Sequence, residues 1–82
     1  MDIDEIQNKI KKHLETETKK EINDFSTNLI DLGFVDSFGM IKLITFIETE
    51  FKVIADVDAM TEESFTSIKN LAESVLKWKK EQ

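Results

Sequence analysis

The sequence has no cysteine and no proline, and it contains only two glycines and one histidine. Without cysteine, the chain has no disulfide, no thiolate metal ligand and no thiol of its own for covalent chemistry. The one histidine, His13, has no second histidine or cysteine to join it in a metal site, and it is interpreted as a residue flanking the apolar stripe of a helix. Because proline is absent, long helices can run without interruption.

Negative charge predominates, since 17 acidic residues against 11 lysines leave a formal net charge of −6 over 82 residues. Nucleic acid binding requires a basic surface, so we expect no nucleic acid partner. No apolar run reaches membrane-spanning length, and the acidic start MDIDEIQNKI is unlike a signal peptide. We therefore predict one domain over residues 1–82, cytoplasmic, without membrane insertion, and monomeric.

Apolar residues recur at helical spacing in three long segments. A first helix is predicted over residues 3–17, a second over residues 38–51 and a last one after a cap at Ser67. A short helix is predicted over residues 61–66, whereas residues 18–36 lack a sustained period and are predicted to form a long ordered loop. The pattern predicts an all-α fold, a small four-helix bundle with three longer helices and one short helix.

The predicted buried positions follow from the same spacing. They are Ile3, Ile6, Ile10 and Leu14 in the first helix, Ile41, Ile44, Ile47 and Phe51 in the second, whose apolar face Met40 and Leu43 broaden, Val53, Ile54, Val57 and Met60 in the following connector, and Ile68, Leu71, Ala72, Val75 and Trp78 in the last helix.

Both glycines flank the dipeptide Asp36-Ser37, in the stretch LGFVDSFGMIKL. The simplest interpretation is a helix N-cap, with Gly33 in a turn, because Asp and Ser oxygens accept hydrogen bonds from the first backbone N–H groups. A functional interpretation uses the same position. A serine hydroxyl at a helix N-terminus faces solvent, where a phosphodiester would be stabilised, and Gly39 would leave room for a bulky group. No base is evident to activate Ser37, so another enzyme would have to modify it.

The segment DLGFVDSFGMIKLITFIETEF resembles the attachment site of acyl carrier proteins, in which an Asp-Ser pair opens the second helix and the serine bears 4′-phosphopantetheine. MTEESFTSIKNLAESV resembles the region of the family's third and fourth helices. Phe38 follows the serine where the family usually has leucine. Two residues separate Gly33 from Asp36, a spacing closer to discrete, stand-alone carriers, including D-alanyl carrier proteins.

The resemblance implies that Ser37 carries 4′-phosphopantetheine, delivered from coenzyme A by a phosphopantetheinyl transferase. The chain would then be a non-catalytic carrier that holds an acyl or aminoacyl group as a thioester. Its other partners would be enzymes of the acyl-activating ligase, ketosynthase or acyltransferase type, in fatty acid, polyketide or nonribosomal biosynthesis. The implied partner-binding surface consists of Asp36, Phe38, Lys42, Glu48, Asp56, Asp58, Glu62 and Glu63.

Two alternatives stay open at this stage. The first concerns four apolar residues, which either border a pocket for an acyl chain or belong to the core: Ile44, Ile54, Phe65 and Ile68. The second concerns function, since a helical interaction module that binds a partner helix without a prosthetic group has a similar composition.

The second predicted helix has Glu48 and Glu50 against Lys42, and is therefore less acidic than is usual in the family.

Overall fold

The computed structural model describes residues 2–82 and contains three α-helices and no strand in that part of the chain. The predicted all-α class is confirmed. None of the helices within these residues is both long and apolar enough to cross a bilayer. The elements are α1 (Ile3–Thr18), α2 (Ser37–Phe51), two short 3₁₀ segments (Val57–Ala59 and Glu62–Phe65) and α3 (Ile68–Glu81).

Side-chain caps begin the first and last helices, as the residue types suggest. The Asp2 carboxylate accepts the Glu5 N–H at 2.8 Å before α1. The Ser67 hydroxyl accepts the Asn70 N–H at 3.1 Å before α3, which confirms the predicted cap. At its other end, α1 is followed by Lys19, which has a left-handed backbone and whose N–H donates to the Glu15 carbonyl oxygen at 2.8 Å.

The short helix expected over residues 61–66 is a four-residue 3₁₀ segment, not a fourth α-helix. Its hydrogen bonds span three residues, from the Ser64 N–H to the Thr61 carbonyl at 3.0 Å and from the Thr66 N–H to the Glu63 carbonyl at 3.1 Å. Ser67 then caps α3 at once, so the segment is too short for a run of four-residue helical bonds. The tighter 3₁₀ geometry is typical of such short connectors.

The hydrophobic core lies where α1 and α3 pack together and α2 closes one side. Ile6, Ile10 and Leu14 face it from α1, and every predicted inner residue of α3 is buried, including Trp78 at 4% exposure. The remaining buried residues come from α2, the loop and the connector: Leu43, Ile47, Phe51, Ile22, Leu29, Phe34, Val35, Val53 and Ala55.

The prediction for α2 was wrong at Ile41, which is 66% exposed. The buried stripe of α2 runs through Leu43, Ile47 and Phe51, four residues apart, so Leu43, which was expected only to broaden the apolar face, is at its centre. Ile41 precedes Leu43 by two positions and therefore points about 200° away around the helix. The apolar residues of α2 spread over more than one face, and packing against α1 and α3 selects among them.

The connector after α2 also differs from expectation at two positions. Val53 is buried and Met60 is half-buried, but Ile54 is 73% exposed and Val57 is 54% exposed. The Gln82 side-chain amide explains the orientation of Ile54, because it accepts the backbone N–H and donates to the carbonyl of Ile54, both at 2.8 Å. The backbone here is thus held against the end of α3 while the Ile54 side chain faces outward.

Of the four residues with two interpretations, Ile68 is completely buried in the core and Ile54 is exposed. Ile44 and Phe65 are partly buried and pack against the core. Core packing is therefore what the structure shows for three of them.

Residues 19–36 connect α1 to α2 through turns, and Leu29 ties this loop to the rest of the fold. Its side chain is completely buried, and its N–H donates to the Thr66 carbonyl at 2.7 Å. Its own carbonyl accepts the Phe34 N–H at 2.8 Å. The turn containing Leu29 begins with Asn28, whose side-chain oxygen accepts the Asp31 N–H at 2.9 Å. These bonds place the end of the loop, and hence the start of α2.

Candidate functional site at the start of α2

Asp36 alone provides the cap of α2. Its carboxylate oxygen Oδ1 accepts the Gly39 N–H at 2.7 Å, and its backbone is extended, as is usual at an N-cap. Ser37 is the first helical residue. The two residues therefore have different roles, and capping does not account for the serine hydroxyl.

The Ser37 side chain is exposed. Its hydroxyl takes part in no side-chain hydrogen bond with any residue between 2 and 82. The first N–H groups of a helix have no partner within the helix, and the helix dipole places partial positive charge there. An anionic group attached to this oxygen would therefore lie at the positive end of the helix dipole, on the exposed surface of the molecule.

Gly39 lies close to the side chain that caps α2. A Cβ atom at this position would lie 3.2 Å from Asp36 Oδ1, closer than ordinary van der Waals contact. To admit a Cβ atom at position 39, the Asp36 carboxylate would have to shift by a few tenths of an ångström. Gly39 therefore has a local structural role, in addition to the open space that the sequence suggested around Ser37.

Gly33 has a backbone that few other residues adopt, with φ at +78°. Its N–H donates to the Ile30 carbonyl at 3.2 Å, which completes the turn that leads into Asp36. A side chain in the left-handed region costs about 1 kcal/mol or more. The backbone conformation thus favours glycine at position 33, whereas at position 39 the absence of a Cβ atom leaves room for the Asp36 carboxylate.

A cleft of about 200 Å³ opens beside this pair, between the end of α1 and the start of α2. Lys42 lines it, with its Nζ atom 3.5 Å from Glu17 Oε2 and 5.2 Å from the centre of the Phe38 ring. The ammonium group therefore has a carboxylate on one side and an aromatic face on the other. The full lining is His13, Leu14, Glu17, Thr18, Gly33, Phe34, Asp36, Phe38, Gly39 and Lys42.

His13 packs against α2 and is not arranged as a catalytic base. Its ring is stacked on Phe46, with the ring centres 4.2 Å apart and the planes 15° from parallel. Burial lowers the pKa of His13 below its ordinary value of 6.5, nearby Glu17 opposes this effect and Lys42 adds to it. No hydrogen bond joins His13 to Ser37 in the described part of the chain, which also has no group of three potential metal ligands.

The lowered pKa of His13 is directly measurable, because this is the only histidine. We expect an NMR titration of the imidazole resonances to give a pKa below 6.5, and Glu17→Gln to lower the pKa further by removing the opposing carboxylate. The folded state binds the proton less well than the unfolded state, so His13 stabilises the fold fully above pH 6.5. This stability is lost as pH falls from 6.5 towards the lowered pKa. A pKa at or above 6.5 would contradict the packing described here.

The predicted partner-binding residues do not form one uniform surface. Phe38 is 67% exposed, and Asp36 and Lys42 are also exposed. Glu48 is half-buried, and its Oε2 accepts the Ala55 N–H at 2.9 Å, so this carboxylate holds the connector in place. The four remaining acids all lie exposed between α2 and α3: Asp56, Asp58, Glu62 and Glu63.

Ile41 was missing from the predicted partner surface, because its apolar character placed it in the core. It lies on the same side of α2 as Phe38, one turn further along, and the two have almost equal exposure. The sequence offered a second apolar row as an alternative inner stripe, but only packing against the other helices selects between the two rows. If Leu43, Ile47 and Phe51 form the inner stripe, then Phe38 and Ile41 both fall outside it.

Comparison with known protein families agrees with this geometry. The family model described as "Phosphopantetheine attachment site" matches residues 5–75, which include all but the first two residues of α1, the whole of α2 and the first part of α3. Comparison with curated protein sequences gave no match. Since the match extends over most of the chain, this protein belongs to the phosphopantetheine attachment-site family, whose members carry covalently attached 4′-phosphopantetheine.

Proposed function

We propose that residues 1–82 form a single acyl carrier domain, which holds an acyl or aminoacyl group as a thioester on 4′-phosphopantetheine attached to Ser37. The observation that supports this most directly is the exposed Ser37 hydroxyl at the start of α2. This hydroxyl is not needed to cap the helix, because Asp36 provides the cap. Membership of the phosphopantetheine attachment-site family agrees with it.

Attachment requires one substitution at phosphorus. The Ser37 oxygen forms a bond to the phosphorus that bears the pantetheine of coenzyme A, and the bond from that phosphorus to the adenosine bisphosphate oxygen breaks. The hydroxyl proton passes to a base of the phosphopantetheinyl transferase, which also supplies the Mg²⁺. The chain itself contributes the Ser37 hydroxyl and the N-terminus of α2, whose partial positive charge stabilises the phosphodiester product.

The attached group supplies a thiol, which this cysteine-free chain otherwise lacks. Forming and transferring the thioester belong in this proposal to partner enzymes of the acyl-activating ligase, ketosynthase or acyltransferase type. In this proposal the chain is a carrier and catalyses neither of these steps itself. The Gly33 to Asp36 spacing and the Ser-Phe-Gly order support a discrete carrier, a group that includes carriers of D-alanine.

Partner enzymes would approach the end of the molecule that bears Ser37. The proposed docking surface is the one expected from the sequence, and Ile41 is now added to it: Asp36, Phe38, Ile41, Lys42, Glu48, Asp56, Asp58, Glu62 and Glu63. Each exposed charge contributes little binding free energy, under about 1 kcal/mol, and acts mainly on association rate and partner choice.

The test is enzymatic loading followed by intact-mass measurement. Incubation with coenzyme A and a broad-specificity phosphopantetheinyl transferase should add one phosphopantetheine to the wild-type chain, and Ser37→Ala should abolish the addition while circular dichroism remains helical. Ser26→Ala is the matched control, because Ser26 is an exposed serine outside any helix and should not accept the group. An unchanged wild-type mass with several active transferases would refute the proposal and favour the interaction module.

A further inference from the structure

The cleft between the end of α1 and the start of α2 lies beside the proposed attachment position. Asp36 and Phe38, which flank Ser37 in the chain, both line it, and its volume is about 200 Å³. Lys42 also lines it, five residues from Ser37 and therefore about 7.5 Å further along the helix axis. A cavity of about 150 Å³ holds benzene, so this cleft has room for a group of a few carbon atoms and excludes a long chain.

The lining of the cleft combines apolar surface with an excess of negative charge. Leu14 and Phe34 contribute buried apolar side chains, whereas the charged residues of the lining drawn from residues 2–82 are Glu17, Asp36 and Lys42. His13 also lines the cleft, and because burial lowers the pKa of His13, its ring is largely neutral at pH 7. A short apolar group that ends in a positive charge matches this combination.

Both carboxylates of the lining retain capacity to accept hydrogen bonds. Glu17 uses Oε2 for the Lys42 ammonium and Asp36 uses Oδ1 for the Gly39 N–H, and no residue between 2 and 82 donates to their second oxygens.

Groups next to the cleft keep the balance of charge negative. Lys20 lies outside the lining, with its Nζ atom 5.5 Å from the centre of the Phe34 ring. The N-terminus of α2 contributes about half a positive charge. A phosphodiester on Ser37 would add a negative charge beside Asp36. The loaded carrier therefore has three anionic groups here, which exceed the two lysines and the helix N-terminus together.

We propose that this cleft binds the aminoacyl end of the loaded arm, with the α-ammonium of the cargo paired to Glu17, an inference that rests on the function proposed above. The arm is a flexible chain longer than the cleft, so it can bend back from Ser37. Because cargo and site belong to one molecule, their effective concentration is about millimolar, and a weak site is then occupied. An uncharged acyl group gains only apolar contact in the cleft, and a carboxyacyl group is repelled by its two carboxylates.

The experiment loads Ser37 with alanyl, propionyl or malonyl cargo, which share a three-carbon frame and differ in charge. A broad-specificity transferase delivers each from an amide analogue of acyl-coenzyme A, in which nitrogen replaces the thioester sulfur and prevents hydrolysis. NMR of the full chain at pH 7, below the ordinary α-amino pKa of about 8, compares the amide shifts of Leu14, Glu17 and Thr18. We expect alanyl cargo to shift these α1 resonances about threefold more than propionyl or malonyl cargo, as one solvent-screened ion pair allows.

Variants at the ion pair test whether charge is recognised. Glu17→Gln should reduce the alanyl-induced shifts to the propionyl level. Lys42→Met removes the competing ammonium and retains an apolar side chain, so it should increase them. Glu5→Gln is the matched control, because Glu5 also lies in α1 and pairs with a lysine, Lys9, at 3.6 Å outside the cleft, and it should leave the shifts unchanged.

Three results would overturn the aminoacyl site. The first is equal shifts from alanyl and propionyl cargo. The second is a larger effect of malonyl cargo, which would make Lys42 the recognition group for an anionic cargo. The third is an alanyl effect that survives Glu17→Gln. In all three cases Ser37 is still loaded and the carrier function stands, whereas absence of loading in the wild type with several active transferases would refute both proposals.

Discussion

Replacing Leu29 with alanine is expected to destabilise the protein by about 2–5 kcal/mol, the usual cost of truncating a completely buried leucine. Leu29 is 0% exposed and belongs to the loop between α1 and α2. The cavity left behind lies among helices and loop segments whose backbones are held by hydrogen bonds, so we expect little collapse around it. Urea denaturation followed by circular dichroism measures the change.

The matched control for this prediction is Leu32→Ala in the same loop. Leu32 is 58% exposed, and its truncation should change the free energy of unfolding by less than about 0.5 kcal/mol. If the two variants had equal unfolding midpoints, Leu29 could not be the residue that anchors this loop. A Leu29→Met variant, which conserves most of the volume, should recover most of the stability and shows that the site tolerates a similar apolar shape.

Leu29 also matters for the site, because the loop sets where α2 begins. Its carbonyl accepts the Phe34 N–H, and its N–H reaches the Thr66 carbonyl beside the start of α3. The loop is thereby fixed at both the α2 and the α3 end. The position of Asp36 and Ser37 is thus determined by a buried leucine several residues earlier in the chain.

Local signals in the sequence were sufficient for much of this architecture. The stripes of α1 and α3 each contain one row of apolar residues, so their inner faces were predicted correctly except at Ile3, which is only partly buried. The Ser67 cap was also predictable, since it precedes an apolar-periodic segment. Asp36-Ser37 was predicted to begin a helix for a similar local reason, because these two short polar residues precede an apolar run.

The errors arose where several nearby positions satisfied the same local rule. Ile41 and Leu43 are both apolar residues of α2, and only packing against the other helices decides which one is buried. Asp36 and Ser37 are both good caps, and the register of the helix start assigns that role to Asp36. Likewise, nothing local distinguishes Val53, which is buried, from Ile54, whose backbone is held by Gln82.

This division of roles connects the fold to the proposed function. Asp36 satisfies the helix, so the neighbouring Ser37 hydroxyl is available for a group that the chain cannot make itself. The mispredicted residue, Ile41, is absent from the core and contributes instead to the exposed face beside that serine. A residue that breaks the expected burial pattern without stabilising the core is a natural candidate for contact with a partner.

Phe51→Ala is expected to have the largest effect on stability, about 3–5 kcal/mol. Phe51 is 1% exposed and ends α2, with its ring centre 6.1 Å from that of Phe46 in an edge-to-face arrangement. Small domains commonly have a stability near the lower end of about 5–15 kcal/mol, so this variant should be largely unfolded at moderate urea concentration. The buried Trp78 supplies a fluorescence probe to compare with circular dichroism.

Phe38→Ala is the matched control for Phe51→Ala, because both remove an aromatic ring from α2 and differ mainly in exposure. We expect its unfolding free energy to lie within about 0.5 kcal/mol of the wild type. Phe51→Leu retains most of the apolar area, so it should remain folded with an intermediate midpoint, which gives a measurable value even if the alanine variant does not fold. If Phe38→Ala were instead the more destabilising change, Phe38 would be a packing residue, and its loss could not serve to test docking beside Ser37.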